Sequence, residues 1–329
     1  MGFSKAVGID LGTANTLIYV KGKGIVLNQP SVVSIDADSK KVLAVGDEAK
    51  RMVGRTPAKV LVLRPLKDGV IADFDITEVM LSTFIKQLKL KGVFSRPIIL
   101  ICCPTNITSV EKNAIRDAAY RAGAKKVYIE EEPKVAAIGA GLDIYKPKGS
   151  MVLDIGGGTT DIAILSLGEI VTSASLKIAG DKFDRDIVKF VKDKYRILIG
   201  ESTAEQVKGK IGYALIESDK DIEKLAVSGR DLVSGLPNTV ELNSELVLEA
   251  IEGSLVDIVR ACKSVLEQSP PEFSADIVER GMVLTGGGSL LKNFDKLLSN
   301  ELNIPVFVAD DPLNCVAEGT GIMLESIID

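Results

Sequence analysis

Residues 152–165 read VLDIGGGTTDIAIL: an apolar run carrying Asp154, then Gly156, Gly157 and Gly158, the hydroxyls of Thr159 and Thr160, and Asp161 before a second apolar run. Apolar runs of this length around glycines predict a strand, a turn and a second strand. A turn without side chains lets backbone N–H groups close on a polyphosphate, and an acid at the strand end can hold a hydrated cation. One such stretch alone is more readily read as a β-hairpin with a permissive turn. This chain contains the pattern twice. Residues 7–20 read VGIDLGTANTLIYV, and placing Asp10 on Asp154 sets Gly12 on Gly156, Thr16 on Thr160 and Ile18 on Ile162 without a gap, at an offset of 144 positions. Two related halves, each with a phosphate hairpin and an acid, form a clamp whose simplest ligand is a nucleotide with its metal ion.

Three further groups could join that chemistry. Residues 281–291, GMVLTGGGSLL, add a third glycine turn containing Gly286 and Gly287, where backbone can approach a flat ligand or a helix N-terminus can meet a phosphate. The run Glu130, Glu131, Glu132 precedes Pro133 and is either an acidic helix start or, at Glu132, a carboxylate facing the nucleotide and orienting a water. Glu205 and Lys208, three apart on one helix face, read by themselves as a surface ion pair.

The elements that must position these groups follow from periodicity. After the first hairpin come β-like runs at 24–35 and 41–46, a short helix at 47–53, and a loop and strand at 57–65, a block of about 35 residues resembling a small insertion. From Asp73 the spacing of Ile76, Val79, Met80, Phe84, Ile85 and Leu88 predicts a helix. The segment KQLKLKGVFSR then sets lysines around Val93 and Phe94; it is either a helix end and loop, or a membrane-surface contact in which Val93 and Phe94 enter the interface. Residues 97–104, PIILICCP, suit a central buried strand, followed by a helix at 108–122 capped by Thr108 or Ser109, a strand at 127–130 and a helix at 133–142. The second half continues through a strand pair and an amphipathic helix beginning at Gly180 and Asp181. Then come a helix at 203–216, a β element at 223–242, and a long helix at 246–268 broken by Ser269, Pro270 and Pro271. A strand at 304–308 and a helix at 316–327 close the chain.

Composition narrows the function classes. With 329 residues, 46% of them hydrophobic, the chain can bury two cores. A net charge of −5 argues against general nucleic-acid binding. No histidine occurs, which excludes Ser-His-Asp and Cys-His catalysis and leaves acid–base work to carboxylates, Lys or Tyr. Cys102, Cys103, Cys262 and Cys315 lack metal-ligand spacing and read as buried thiols in a reducing cytosol. No segment reaches the length of a membrane span, and the N-terminus carries no secretory signal.

DLGTANT, DIGGGTTD and LTGGGS also occur in the order of the first phosphate loop, second phosphate loop and adenosine loop of the actin and heat-shock-chaperone ATPase superfamily. Within it the chain resembles the MreB family of bacterial actins over essentially its full length, through GIDLGTANTLIYVKGKGIVLNQPSVV, RPLKDGVIADF, IEEEPKVAAIGAGL, SGRDLVSGLP and ERGMVLTGGGSLLKNFDKLL. The resemblance implies an α/β, actin-like (ribonuclease-H-like) duplicated fold of two lobes, each a mixed sheet flanked by helices, with four subdomains around a Mg-ATP cleft. Residues 1–30 and 68–150 would form the core of the first lobe and 31–67 its insertion; 151–181 and 243–329 would form the core of the second and 182–242 its insertion. By the same resemblance Asp10 and Asp154 hold Mg2+, while Gly12, Thr13, Ala14, Asn15, Gly156, Gly157, Gly158 and Thr160 cradle the phosphates. Glu132 and Thr159 position the attacking water, and Gly180, Asp181, Glu205, Lys208, Gly286 and Gly287 surround the adenosine.

It further implies slow ATP hydrolysis to ADP coupled to self-assembly into antiparallel double filaments. These lie in the cytoplasm on the inner, anionic face of the membrane, meet membrane-bound morphogenesis proteins and determine cell shape. Three departures stand out: Asp161 where the family more often has Glu, Lys134 and Val135 after the EEP motif, with the lysine charge near Glu132, and an N-terminus without an amphipathic anchor, which leaves Val93 and Phe94 as the membrane contact. The alternatives are a filament protein that binds nucleotide with little hydrolysis and a monomeric small-molecule kinase of the same superfold.

Overall fold

The computed structural model describes residues 6–88, 96–105 and 107–328. The first repeat is a hairpin of β1 (Ala6–Leu11) and β2 (Asn15–Val20), with Asp10 opposite Leu17. β3 (Gly24–Pro30) extends it antiparallel. The run expected as one β segment at 24–35 divides at Ser31 and Val32, because Ser31 is pinned under the first turn: its N–H donates to the Ala14 carbonyl at 2.9 Å and its hydroxyl to the Gly12 carbonyl at 2.6 Å. Beyond that anchor the chain leaves for a small separate sheet of β4 (Val33–Asp36), β5 (Val42–Val45) and β6 (Val60–Leu63), with α1 (Asp47–Lys50) between the last two.

β7 (Leu66–Lys67) and β8 (Val70–Ile71) form a hairpin whose two turn residues, Asp68 and Gly69, both have positive φ, the signature of a type I′ turn. α2 (Phe74–Gln87) is capped by the Asp73 carboxylate and buries Thr77, Met80, Leu81 and Phe84; Val79, expected inside, faces outward. β9 (Ile98–Cys103) is the buried strand expected there, α3 (Ser109–Arg121) begins with a Thr108/Glu111 capping box, and β10 (Lys126–Glu131) leads into α4 (Glu132–Gly139).

The second repeat, β11 (Ser150–Ile155) and β12 (Thr160–Ser166), sets Asp154 opposite Asp161, and β13 (Glu169–Leu176) continues the meander. α5 (Gly180–Tyr195), β14 (Ile197–Leu198), α6 (Glu201–Ile211), β15 (Lys224–Asp231) and β16 (Pro237–Asn243) follow, and the three strands form their own sheet. α6 stops at Ile211, five residues before the expected end, because from Gly212 the chain extends to pair with another segment: Tyr213 bridges Lys292, and the Ala214 N–H donates to the Lys292 carbonyl.

α7 (Ser244–Gln268) ends at the prolines, but Pro271 also opens a helix that the sequence reading did not anticipate, α8 (Pro271–Arg280), since a proline in the first turn costs no helical hydrogen bond. β17 (Met282–Thr285), α9 (Phe294–Leu302), which begins a few residues after the third glycine turn, β18 (Val306–Val308) and α10 (Cys315–Ile328) complete the chain.

The two large sheets have strand orders β3-β2-β1-β9-β10 and β13-β12-β11-β17-β18. In each, an antiparallel meander of three strands is followed by two parallel ones, so the offset in sequence is a duplication in space. Each sheet has its own apolar core, and a third joins them: Val135, Ala136, Ala137 and Ile138 of α4 with Val316, Met323 and Leu324 of α10, against Ala6 and Leu100 of one sheet and Val152 and Ala163 of the other. All four cysteines are free and buried.

α4 and α10 cross at backbone contact. A Cβ on Gly139 would lie 1.8 Å from the Cys315 carbonyl oxygen, and one on Gly319 would lie 2.0 Å from that of Val135. Gly319→Ala must therefore push the helices apart and is expected to lower unfolding free energy by about 1–3 kcal/mol. Gly253→Ala, in α7 with nothing within 4 Å of the new Cβ, is expected to raise it by up to about 1 kcal/mol. Urea denaturation of the two variants checks both signs.

Candidate nucleotide-binding site

The facing hairpins enclose a cavity of about 520 Å3, within the range of small-molecule sites. Gly12, Thr13, Ala14 and Asn15 line it from the first turn and Gly156, Gly157, Gly158 and Thr159 from the second. The turns touch: a Cβ on Gly157 would fall 2.6 Å from that of Ala14, and one on Gly158 would fall 2.5 Å from the Thr13 hydroxyl. Side chains there would hold the lobes apart. A contributor that sequence reading missed is Gly69, whose N–H donates to the Thr13 hydroxyl at 3.1 Å from the β7–β8 turn. The Asp-Gly pair in RPLKDGVIADF was the available signal.

Asp10 and Asp154 occupy equivalent ends of β1 and β11 on the cavity wall. Asp154 is 3% exposed and accepts the Thr285 hydroxyl at 2.6 Å. Burial, reinforced by the charge of Asp154, pushes Asp10 up to about 7; burial, opposed by the Thr285 bond and reinforced by Asp161, takes Asp154 to about 7 as well. Glu132, at the start of α4, is held well above the usual carboxylate range by burial and then by Asp154, Asp161 and Asp10.

The three consecutive glutamates separate. Glu130 lies 3.8 Å from Lys134 and Glu131 3.8 Å from Lys112, while Glu132 opens on the cavity. Lys134, expected to set its charge near Glu132, thus turns to Glu130. Thr159 is on the wall, but Thr160 is not: it is fully buried and its hydroxyl donates to the Ile178 carbonyl at 2.6 Å. The expectation that Thr160 joins the phosphate cradle is corrected, because β12 begins at Thr160 and turns its side chain into the sheet packing.

Gly180 and Asp181 open α5 beside the second turn, their N–H groups donating to the Gly156 and Gly157 carbonyls at 3.2 and 2.8 Å. Lys208 donates to the Gly180 carbonyl at 2.9 Å and lies 2.9 Å from the Asp184 carboxylate. Glu205 pairs instead with Lys50 of α1 at 3.3 Å. Glu205 and Lys208 both line the cavity, and each is paired elsewhere than with the other. A second bridge, Arg64 to Asp181 at 3.5 Å, also crosses the mouth. Gly286, with φ +77° and room for a Cβ only 2.4 Å from the Ile155 carbonyl, lines the cavity with Gly287.

Phe183, Leu290, Leu291 and Leu313 supply apolar wall that the sequence did not distinguish from ordinary core. Leu290 and Leu313 remain 55% and 49% exposed at the rim, as suits residues against which a flat ring can lie. Val93 and Phe94 lie outside the described residues.

Among the described residues no group of three or more acids, histidines or cysteines could hold a metal ion unaided. Asp10 and Asp154 fit Mg2+ nonetheless, since that ion keeps several waters and shares one or two carboxylates with substrate phosphates. Among the described residues no helix is long and apolar enough to cross a membrane.

The model of the MreB/Mbl protein family matches residues 4–329. The cell shape-determining protein Mbl of Bacillus subtilis (strain 168) is 60% identical over 325 residues, covering 99% of this chain and 97% of its own. The cell shape-determining protein MreB of Escherichia coli (strain K12) is 54% identical over 331 residues, covering 99% and 94%. The crystal structure of MreB 5 of Spiroplasma citri bound to AMPPNP superimposes with a TM-score of 0.94 at 39% identity, covering 99% and 98%. The duplicated sheets, the cleft between them and similarity along nearly the whole length lead to one conclusion: the chain belongs to the MreB/Mbl family.

Proposed function

We propose that this protein is a cell shape-determining actin-like ATPase that binds ATP with Mg2+ and polymerises into antiparallel double filaments on the inner face of the membrane. The observation that carries the reading is the closure of two glycine hairpins on one cavity with Asp10 and Asp154 at equivalent strand ends and Glu132 between the lobes. Residues 31–67 and 182–242 act as the small subdomains of the two lobes, which Lys50–Glu205 and Arg64–Asp181 join across the cleft mouth.

In this reading the N–H groups of Gly12, Thr13, Ala14, Asn15, Gly156, Gly157 and Gly158 surround the phosphates. Asp10 and Asp154 would hold Mg2+, which supplies positive charge to the phosphate oxygens. Thr159 and Glu132 orient the attacking water, and Glu132 takes its proton. Gly180, Asp181, Glu205, Lys208, Gly286 and Gly287, with the apolar rim, hold the nucleoside. Hydrolysis to ADP is slow in free subunits and rises when assembly closes the lobes. Membrane-bound morphogenesis proteins are the expected partners beyond the filament itself.

Phosphate release and pelleting with Mg-ATP, followed against protein concentration, should rise together above one threshold. Glu132→Ala should pellet normally yet release phosphate about 100-fold more slowly or less. Pellets without phosphate release from the unaltered chain would make nucleotide a structural switch only, and unchanged release by the variant would remove Glu132 from the mechanism.

The raised aspartates give a stability profile with a definite sign. Asp10 and Asp154 keep protons in the folded state up to about 7 that the unfolded chain releases near the ordinary aspartate value of 3.8. The folded state thus binds more protons in that window, and without metal its stability falls as pH rises from about 4 to about 7, then levels off. Thermal melts at fixed ionic strength should show this, with Mg-nucleotide flattening the fall. A metal-free melting temperature that rises through the window would contradict the assignment.

The membrane contact rests on sequence alone. Val93→Ala with Phe94→Ala should abolish co-sedimentation with anionic liposomes while sparing polymerisation, and retained binding would place the contact elsewhere.

A further inference from the structure

Asp161 takes no part in the phosphate cradle or the metal pair, yet it is 1% exposed, on β12 opposite Asp154. One oxygen, Oδ1, accepts from the N–H and hydroxyl of Thr105 at 3.3 and 3.0 Å. The other, Oδ2, is buried without a hydrogen-bond partner. A buried carboxylate with an unsatisfied oxygen is costly, so a structural role alone is a poor account of it.

The duplicated hairpin supplies an internal control. The equivalent position on β2, opposite Asp10, is Leu17, which is also buried. The scaffold therefore accepts an apolar side chain at this point, and the carboxylate is specific to the second hairpin. Its surroundings are equally specific. Thr105 follows β9 of the first lobe and Asp161 belongs to the second, so the Thr105 bonds cross the lobe junction. The nearest hydroxyls along the sheet are those of Ser175, opposite Asp161 on the neighbouring strand, and of Thr159, two positions before it, and the Asp161 charge reaches Glu132. Of these two hydroxyls, that of Thr159 is on the cavity wall.

We propose that Asp161 is a positioning residue for hydrolysis: anchored by Thr105 across the lobe junction, it accepts the Thr159 hydroxyl proton in a hydrogen bond and so fixes the direction in which Thr159 meets the attacking water. A threonine hydroxyl has one proton to donate. With that proton directed to Asp161, the Thr159 oxygen can only accept from the water. The water then gives one hydrogen bond to Thr159 and one to Glu132, and its lone pair is left for phosphorus. As the new P–O bond forms and the bond to ADP breaks, the proton facing Glu132 moves to that carboxylate. Because Thr105 lies in the other lobe, the arrangement is complete only when the lobes are together.

The inference rests on the ATPase reading, and the test separates the two. Asp161→Asn keeps size and an oxygen for the Thr105 donors, but turns an NH2 group toward Thr159 and reverses the bond. It should bind Mg-ATP with KM within about twofold of the unaltered chain and pellet normally, while kcat for phosphate release falls about 10- to 100-fold. Asp161→Glu, which keeps an acceptor, should recover most of the rate. An Asn variant with unchanged kcat overturns the proposal, as does a Glu variant no better than Asn, or a loss of rate accompanied by equal losses in KM and pelleting. If the unaltered chain releases no phosphate beyond the Glu132→Ala background, the ATPase reading fails and the proposal falls with it; turnover by the unaltered chain with Asn equally active sinks only the role of Asp161.

Discussion

Asp10, Glu132 and Asp154 line one cleft with Asp161 buried opposite Asp154 on β12; burial pushes all four up, and repulsion adds to it at Asp10, Glu132 and Asp154. Carboxylates this close cannot all ionise at neutral pH without a compensating charge. The fold tolerates the gathering because strand ends, not flexible loops, deliver the acids, and because glycine turns leave space in front of them. The rest of the architecture follows from that demand. Two copies of one sheet bring two acids to equivalent points, α4 carries Glu132 in from the first lobe, and the second hairpin adds Asp161. A cleft lined by such carboxylates suits a cation with a polyphosphate, the ligand of the proposed function.

What was legible in the sequence was what local spacing determines. The hairpins, their acids and the glycine turns are set by consecutive residues, and the repeat made them stand out from ordinary turns. Glu132 could be singled out because a proline fixes where its helix starts. Side-chain direction was less accessible: Thr159 and Thr160 are adjacent and chemically alike, and only the register of β12 sends one to the cavity and the other to the Ile178 carbonyl. Partners distant in sequence were not legible either. Glu205 finds Lys50 and Lys208 finds Asp184 because the lobes and helices pack as they do, a fact that spacing along α6 cannot express. The run Ser269, Pro270 and Pro271 shows a different limit, since it ends one helix and begins another.

The duplication also shows how one scaffold divides labour. Both hairpins keep the turn and the acid, whereas the residue opposite the acid differs, Leu17 in one and Asp161 in the other. The first turn is braced by its own lobe, through Ser31 and the Thr16 hydroxyl beside it at 2.9 Å. The second is tied to α5 by Gly180 and Asp181 and, through Asp161, to Thr105 of the opposite lobe. The glycine turns are thus common to both halves, while the hydrogen bond that crosses the lobe junction through Asp161 belongs to the second.

The bare backbone crossing of α4 and α10 gives the molecule a mechanical character as well. With no side chain between Gly139 and the Cys315 carbonyl, or between Gly319 and the Val135 carbonyl, the helices can neither approach further nor part without opening a void in the shared core. The motion least opposed is rotation about the contact, as in a bearing. Such a bearing near the phosphates has long arms on either side, ending at α1 in one lobe and at the β15–β16 hairpin in the other. Small angular changes at such a pivot become large arcs at those tips, which is the lever the proposed nucleotide-dependent assembly would need.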